Sequence, residues 1–227
     1  MPLKIAILAS GSGTNAQAMI DKSAAGILDV DIRMVLSNRP GAGVLERARK
    51  AGLPHPALDH TLFPDRESYD RKLIAVLKES GAELIVLAGY MRLLSSAFLE
   101  AFAGRVVNIH PALLPSFPGV HGGADALAYG VKISGCTVHF VEEKVDSGPV
   151  IIQAAVPVNA GEDPDGLMRR IHAMEHRIYP QALQWFAEGR ISTRGRQVHL
   201  NPAVSPARPA VRPDGPWLVW PPLEEGF

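Results

Sequence analysis

Residues 106–118 read Val106-Val-Asn-Ile-His110-Pro-Ala-Leu-Leu-Pro-Ser-Phe-Pro118 and join an apolar strand to a proline-rich loop. Alternation along the strand places Asn108 and His110 on the same face. Asn108 supplies a neutral amide, and histidine is the side chain that gains or loses a proton near neutral pH. The three prolines that follow disfavour a helix directly after the strand. Open α/β sheets build sites from such polar side chains at strand ends.

Segments on both sides of this stretch alternate between apolar strands and amphipathic helices, which indicates an α/β protein. The loop over 142–148 is short, so the strand after it is expected to run antiparallel to its partner. We therefore predict a three-layer, Rossmann-like fold with a mostly parallel twisted sheet and an antiparallel C-terminal strand. The predicted strands cover residues 4–9, 29–36, 54–58, 83–88, 106–110, 135–141 and 149–158. The predicted helices cover about 16–20, 44–51, 66–80, 96–103, 124–129 and 163–188.

The composition is that of an ordinary globular protein of 227 residues, 47% hydrophobic and 20% charged. Basic and acidic residues both number 23, so net charge gives no indication of nucleic acid or an anionic membrane as a partner. No apolar run approaches the roughly 20 residues of a membrane span, and the N-terminus lacks the pattern of a secretory signal. The single cysteine, Cys136, excludes an internal disulfide and a cysteine-cluster zinc site. We expect a cytoplasmic protein.

The character of the chain changes at Ile191. Seven of the 19 prolines lie beyond it, so regular helix is not expected there. Trp217 and Trp220 favour an extended arm that lies on the domain. We predict a catalytic domain over residues 1–190 and a proline-rich C-terminal extension over 191–227, packed on the domain or partly flexible. The seven prolines occupy positions 202, 206, 209, 213, 216, 221 and 222.

A glycine-rich turn, Ser10-Gly-Ser-Gly-Thr-Asn15, separates the first strand from the first helix. Strand, glycine turn and helix together favour anion binding, because backbone N–H groups can approach a phosphate and the helix N-terminus adds its positive dipole end. Small residues such as Gly13 allow the approach, while Thr14 and Asn15 add side-chain donors. The alternative is a tight turn capped by serine or threonine.

Three more specific sequence motifs can be compared with the same turn. A P-loop needs Gly-Lys-Ser/Thr, and no lysine is present. A nucleophile elbow needs Gly-x-Ser-x-Gly, and Ser12 lacks glycine at those positions. A dinucleotide fingerprint, G-x-G-x-x-A, fits residues 11–16 loosely. Arg39, after the next strand, would suit a 2′-phosphate, so an NADP-binding oxidoreductase remains an alternative.

Asp146 lies in the loop between the last two long predicted strands, and His139 lies on the strand before it. A carboxylate beside a histidine orients the imidazole and forms a common acid–base pair. The alternative is a hydrogen-bonded structural histidine, because buried polar groups are normally paired. Asn108 and the rigid loop after His110 favour a catalytic site.

Several segments, in matching order from about residue 4 to 190, carry a resemblance to a known family. They are Ser10–Asn15, Ala88-Gly-Tyr-Met-Arg92, Asn108-Ile-His-Pro-Ala-Leu-Leu-Pro115, Gly135-Cys-Thr-Val-His-Phe-Val141, Val145-Asp-Ser-Gly-Pro149 and Glu175-His176. In these motifs the chain resembles the phosphoribosylglycinamide formyltransferases, folate-dependent enzymes of purine biosynthesis. The resemblance implies the formyltransferase type of Rossmann-like fold. It also implies that 10-formyltetrahydrofolate, as co-substrate, donates a formyl group to the amine of glycinamide ribonucleotide.

The resemblance assigns chemistry to the polar residues already singled out. Asn108 and protonated His110 would stabilise the oxygen of a tetrahedral intermediate. Asp146 would hold His110 charged and help to move the proton, directly or through water, with His139 in support. Neither a metal nor a covalent enzyme intermediate is implied.

Binding residues are implied for both small-molecule substrates. The ribonucleotide phosphate would lie on Gly13, Thr14 and Asn15, and Glu175 would contact the amine end or the sugar. The pterin would lie against Met91, Arg92, Leu93, Leu94 and the loop that begins at Val141. Arg66 and Arg92 would meet the anionic glutamate tail, although Arg66 is equally explained as an exposed surface arginine. Phe98 and Leu99 are further lining residues or core residues.

Two positions depart from the family pattern. Ala112 replaces the serine of His-Pro-Ser-Leu-Leu-Pro, a residue not expected to do chemistry. His172 stands where other members often carry lysine or glutamine near the phosphate, so we expect it to affect phosphate affinity if it points there. A monomer or a homodimer is compatible with the sequence.

Related activities remain as alternatives. A methionyl-tRNA formyltransferase is expected to carry a further C-terminal domain, for which residues 191–227 are too few and too rich in proline. A formyltetrahydrofolate hydrolase is expected to carry an additional N-terminal domain. A non-catalytic phosphate-binding module would need the glycine turn alone and would leave His110 and Asp146 unexplained.

Overall fold

The structure, a computed structural model, describes residues 1–202 and 218–227 and divides into two compact units. The first unit contains Met1–Asn108 and Phe140–Glu143, and the second contains Ile109–His139 and Lys144–Phe227. The boundary falls inside strand β4 (Val106–His110), so the stretch that ends at His110 starts in one unit and ends in the other.

The first unit is built on parallel strands that are largely buried on both faces, which explains their continuous apolar sequences. β1 pairs with β2 and with β3, and β3 pairs with β4, all in parallel. The strands are β1 (Leu3–Leu8), β2 (Val30–Leu36), β3 (Leu84–Leu87) and the start of β4. The helices are α1 (Thr14–Ala24), α2 (Gly43–Lys50), α3 (Arg66–Ser80) and α4 (Ser96–Ala101).

Both ends of α3 follow from local chemistry and confirm the predicted bounds. The Asp65 carboxylate accepts a hydrogen bond from the backbone N–H of Ser68 at 2.6 Å, which caps the first turn. Gly81 ends the helix at φ 72°, a left-handed conformation that glycine adopts without strain. Leu73 and Leu77 face the core between these ends.

The predicted strand over residues 54–58 is wrong. One parallel bridge, between Ser37 and Ala57, is found there instead of a ladder. The carbonyls of Pro54 and Pro56 accept hydrogen bonds from Val35 and Ser37, at 2.9 and 3.2 Å. A ladder cannot continue because neither proline has an N–H to donate in return.

The second unit contains antiparallel strands and the longest helix. β5 pairs with β6 in antiparallel fashion, which confirms the direction predicted from the short loop. The α6 helix packs on β6, and its N-cap Asp163 accepts from the N–H of Gly166 at 2.6 Å. The main elements of the second unit are α5 (Gly122–Tyr129), β5 (Ile133–Phe140, whose last residue belongs to the first unit), β6 (Val150–Pro157) and α6 (Pro164–Ala187).

Beyond α6 the chain forms extended structure. Strands β7 (Ile191–Arg194) and β8 (Gln197–Leu200) make a hairpin, and β9 (Leu218–Trp220) pairs antiparallel with β6. Glu224 then accepts hydrogen bonds from Trp185 and Arg190, at 3.1 and 2.8 Å. Trp217 and the prolines at 206, 209, 213 and 216 lie outside the described residues. The division into a domain over 1–190 and an extension over 191–227 stays a prediction.

The order of strands in the main sheet is β2-β1-β3-β4-β5-β6-β9. The predicted fold class is confirmed: the sheet is mostly parallel, has helices on both sides and ends in antiparallel strands. Over residues 1–202 and 218–227, no helix combines the length and the apolar character that crossing a membrane requires.

Candidate active site

His110, the last residue of β4, faces the carboxylate of Asp146 in the loop between β5 and β6. Its Nδ1 lies 3.4 Å from Oδ2 of Asp146, and the two side chains are only 4% and 10% exposed. Opposite charges interact strongly at this distance when water is largely excluded. The predicted pairing of these two residues is therefore found as a direct contact.

The other ring nitrogen of His110 determines where its proton lies. Nε2 is 2.8 Å from the carbonyl oxygen of Phe117, and a carbonyl can only accept a hydrogen bond. Nε2 must therefore carry a proton, and Nδ1 faces a carboxylate that also favours a donor. The Phe117 carbonyl thus fixes a donor at Nε2, while Nδ1 is the ring nitrogen that faces Asp146.

Asp146 is the centre of a small cluster in the second unit. Oδ2 also accepts from the backbone N–H of Gly119 at 2.7 Å, and Oδ1 lies 3.7 Å from Nε2 of His139. Asp146 has φ 49°, in the left-handed region, where aspartate is among the few residues tolerated. Such a conformation persists only when neighbouring contacts hold it, which is frequent at functional sites.

Two members of this cluster, the Phe117 carbonyl and the Gly119 amide, were missed by sequence reasoning. Both are backbone groups, and backbone groups carry no residue-type signature. The Phe-Pro-Gly sequence was the available signal, since Phe117 has φ 52° and Gly119 has φ 98°. Asn108, two residues before His110 on β4, is partly exposed.

The glycine turn in the first unit leads directly into α1. Gly13 is the N-cap residue, has φ 77° and makes no side-chain cap, so the capped-turn alternative is wrong at this position. The side chains of Thr14 and Asn15 are partly exposed in the first turn. Arg47 supports the turn by donating from Nε to the carbonyl of Ser12 at 2.7 Å. Helix α1 thus begins without a side-chain cap from its N-cap residue, and a helix N-terminus favours an anion.

The segment after β3 combines an anchored backbone with exposed apolar side chains. The N–H of Met91 donates to Oγ of Ser10 at 2.8 Å, and that hydroxyl donates to Oδ1 of Asn38 at 2.6 Å. Met91 and Leu93 are 56% and 59% exposed. Leu94 and Val141 are partly buried. Met91, Leu93, Leu94 and Val141 thus form an apolar surface, with the backbone held at Met91, and such a surface suits a flat, largely apolar ligand.

The family model described as formyl transferase matches residues 3–183. The chain belongs to the formyl transferase family. This formyl transferase is 46% identical over 201 residues to phosphoribosylglycinamide formyltransferase of Escherichia coli, covering 88% of this chain and 92% of that protein. Its structure is similar to that of glycinamide ribonucleotide transformylase 1 from Symbiobacterium toebii, with TM-score 0.86 and 48% identity over 88% of this chain and 94% of that one.

The formyl transferase also resembles part of a larger protein. It is 49% identical over 189 residues to the trifunctional purine biosynthetic protein adenosine-3 of Drosophila melanogaster. The match covers 82% of this chain and spans 14% of the length of that relative.

The two arginines predicted to bind an anion have different surroundings in the formyl transferase. The Arg92 guanidinium lies over the Tyr69 ring, 4.6 Å from its centroid. The Tyr69 hydroxyl is 2.7 Å from that of Tyr90, and burial raises the pKa of both phenols, so they stay neutral beside Arg92. Arg66 is exposed and contacts Glu67 at 3.2 Å. Its role as an anion-binding residue stays a prediction.

Helix α6 of the formyl transferase carries Glu175, which is only 3% exposed. The rings of His172 and His176 are stacked with centroids 6.5 Å apart. Phe98 is fully buried in the core, whereas Leu99 is partly buried. Ala112 is also fully buried, and its carbonyl rather than its side chain is used, because Thr137 donates to that oxygen. This hydrogen bond therefore does not require serine at position 112.

Among the residues described, no group of three or more histidine, cysteine, aspartate or glutamate side chains could hold a metal ion. Cys136 is fully buried, and burial raises the pKa of its thiol well above the usual range. A buried, protonated thiol is a poor nucleophile.

Proposed function

We propose that this chain transfers the formyl group of 10-formyltetrahydrofolate to the amine of glycinamide ribonucleotide in de novo purine biosynthesis. The observation that carries the proposal is His110, buried between the Asp146 carboxylate and the Phe117 carbonyl. Membership of the formyl transferase family and the names of its relatives support this reaction over others at such a site.

The reaction needs stabilisation of charge on an oxygen. When the substrate amine attacks the formyl carbon, the C=O electron pair moves onto oxygen and a tetrahedral centre forms. The amide of Asn108 and the Nε2–H of His110 donate to that oxygen. Because Nε2 donates to the Phe117 carbonyl in the free protein, this carbonyl must give way to the formyl oxygen.

Collapse of the tetrahedral centre needs a proton transfer. The attacking amine loses a proton, and the folate nitrogen gains one as its bond to the formyl carbon breaks. Asp146 holds His110 charged through the 3.4 Å contact and assists this transfer, directly or through water. His139, 3.7 Å from the same carboxylate, helps to orient it.

We assign the phosphate of the ribonucleotide to the first turn of α1. Gly13, Thr14 and Asn15 hold the phosphate at the helix N-terminus, where backbone N–H groups and the helix dipole favour an anion. Glu175 contacts the amine end or the sugar. Its burial suits a carboxylate that pairs with polar groups of a ligand.

We assign the folate to the apolar surface formed by Met91, Leu93, Leu94 and Val141. Exposed apolar side chains on an anchored backbone fit a pterin ring, and the charges of Arg92 and Arg66 fit the anionic glutamate tail. We place the reaction in the cytoplasm, since a single buried cysteine is typical of reducing compartments. Both partners are small molecules, and a monomer or homodimer suffices.

The proposal is tested by incubating the purified protein with both substrates and measuring formylated ribonucleotide. We expect formyl transfer with glycinamide ribonucleotide and none with glycinamide, which lacks the phosphoribosyl group. Folate deformylation without ribonucleotide would identify a hydrolase instead. Tight binding of NADPH would favour the oxidoreductase alternative.

We expect Gly13→Ala to raise the ribonucleotide KM at least about tenfold, because the phosphate turn is displaced. A Cβ at this position would lie 2.5 Å from Cγ2 and 2.8 Å from Cα of Val44, and φ 77° adds strain. Gly11→Ala is the matched control, since nothing lies within 4 Å of its Cβ position. Equal KM values for both variants, measured by steady-state kinetics, would contradict the assignment of phosphate to this turn.

A further inference from the structure

A closed set of hydrogen bonds lies behind the loop that follows His110. Thr137, fully buried on β5, donates from Oγ1 to the carbonyl of Ala112 at 2.7 Å. Oγ1 of Thr137 in turn accepts hydrogen bonds from the N–H of Leu114 at 3.1 Å and from Nε2 of Gln153 at 2.9 Å. A hydroxyl has one hydrogen and two lone pairs, so Oγ1 is fully used. Every direction is determined, because a carbonyl cannot donate and an N–H cannot accept.

Gln153, on the neighbouring strand β6, completes the set. The second hydrogen on its Nε2 donates to the carbonyl of Leu114 at 3.0 Å. Leu114 is therefore held through both its N–H and its C=O, and Ala112 through its C=O. These anchors come two and four residues after His110.

Packing leaves the anchored part of the loop little freedom. Ala112 is fully buried and Leu114 is 7% exposed. A Cβ on Gly135 of β5 would lie 1.9 Å from the Ala154 carbonyl oxygen and 3.0 Å from Cδ2 of Leu113, so the glycine makes room for the loop. Residues 112–114 thus rest directly on β5.

The parts of the loop before and after the anchored residues 112–114 contact the site in different ways. Immediately before it stands His110, whose orientation toward Asp146 must be kept. Beyond it lie Phe117, whose carbonyl faces Nε2 of His110, and Gly119, whose N–H binds Asp146. An anchor between the two parts allows the second to shift without turning the histidine.

We propose that Thr137 and Gln153 are positioning residues that hold residues 112–114 and thereby orient His110 toward Asp146. The proposal rests on the proposed function in one respect: the Phe117 carbonyl is exchanged for the formyl oxygen while the anchor stays in place. Neither side chain needs to touch a substrate. Their effect belongs to the chemical step, since a displacement of about 1 Å in a catalytic group can cost 10²-fold in rate.

The test compares three substitutions on β5. Thr137→Val keeps the shape but removes the hydroxyl, whereas Thr137→Ser keeps the hydroxyl. Ser134→Ala removes a buried hydroxyl that has no hydrogen-bond partner among the described residues, and it is the matched control. We expect kcat for Thr137→Val to fall about 10- to 100-fold with both KM values within about threefold. Thr137→Ser and Ser134→Ala should each stay within about threefold of the original kcat.

Amide hydrogen exchange gives a readout that does not depend on the reaction. The Leu114 amide should be protected in the original protein and in Thr137→Ser, and should lose protection in Thr137→Val. If the original protein transfers no formyl group, the proposed function fails while exchange still tests the anchor. A folded Thr137→Val with unchanged kcat and unchanged Leu114 protection would overturn the anchor alone.

Should Thr137→Val not fold, Gln153→Met replaces it, because Gln153 is partly exposed and methionine has a similar length. This variant loses both donors of Nε2 and should lower kcat about tenfold. A kcat within twofold of the original would overturn the proposal.

Discussion

Replacing His110 by alanine is expected to lower kcat by about three orders of magnitude, the combined scale of a lost acid–base group and a lost oxyanion donor. The imidazole is held between Asp146 and the Phe117 carbonyl, and alanine offers neither a proton nor a hydrogen-bond donor in its place. The measurement is single-turnover formyl transfer with saturating ribonucleotide and folate. Circular dichroism and thermal unfolding should show that the variant is folded.

A histidine on the hairpin provides the control for this substitution. His199 is exposed on β8, so His199→Ala should keep the original kcat and control for assay and purification. A folded His110→Ala protein with near-normal turnover would rule out the mechanism proposed for this site.

Asp146→Asn is expected to lower kcat about 10²- to 10³-fold, because the charge that stabilises protonated His110 is removed. Asparagine is the right replacement here. It tolerates the left-handed conformation at φ 49°, and its amide oxygen can still accept from the N–H of Gly119. The loss therefore reports the charge rather than the loop. Steady-state kinetics with both substrates measures it.

Asp165→Asn, at an exposed position in the first turn of α6, removes the same charge elsewhere in this unit and should leave kcat unchanged. The double variant of His110 and Asp146 should lose little more than His110→Ala alone, since groups that act as one unit are not additive. Fully additive losses would show that the two residues act independently and would contradict the pairing.

Local features of the chain could be predicted because their causes are local. Asp65 and Gly81 mark the ends of α3 by capping and by left-handed conformation, and the predicted range of 66–80 was correct. The strand predicted at 54–58 failed for an equally local reason, since Pro54 and Pro56 cannot donate to a ladder. The antiparallel direction of β6 followed from the length of the loop before it.

By itself, the sequence determined the alternation of strands and helices, the glycine turn before α1, and a buried strand that ends in Asn108 and His110. These follow from apolar periodicity and residue type, which act over a few residues. The tertiary structure alone decided that Asp146 reaches His110 directly at 3.4 Å, that a backbone carbonyl holds the other ring nitrogen, and that Thr137 and Gln153 anchor the loop. Such contacts join groups far apart in the chain, several of them backbone groups, and their distances depend on how the strands and loops of the folded unit pack.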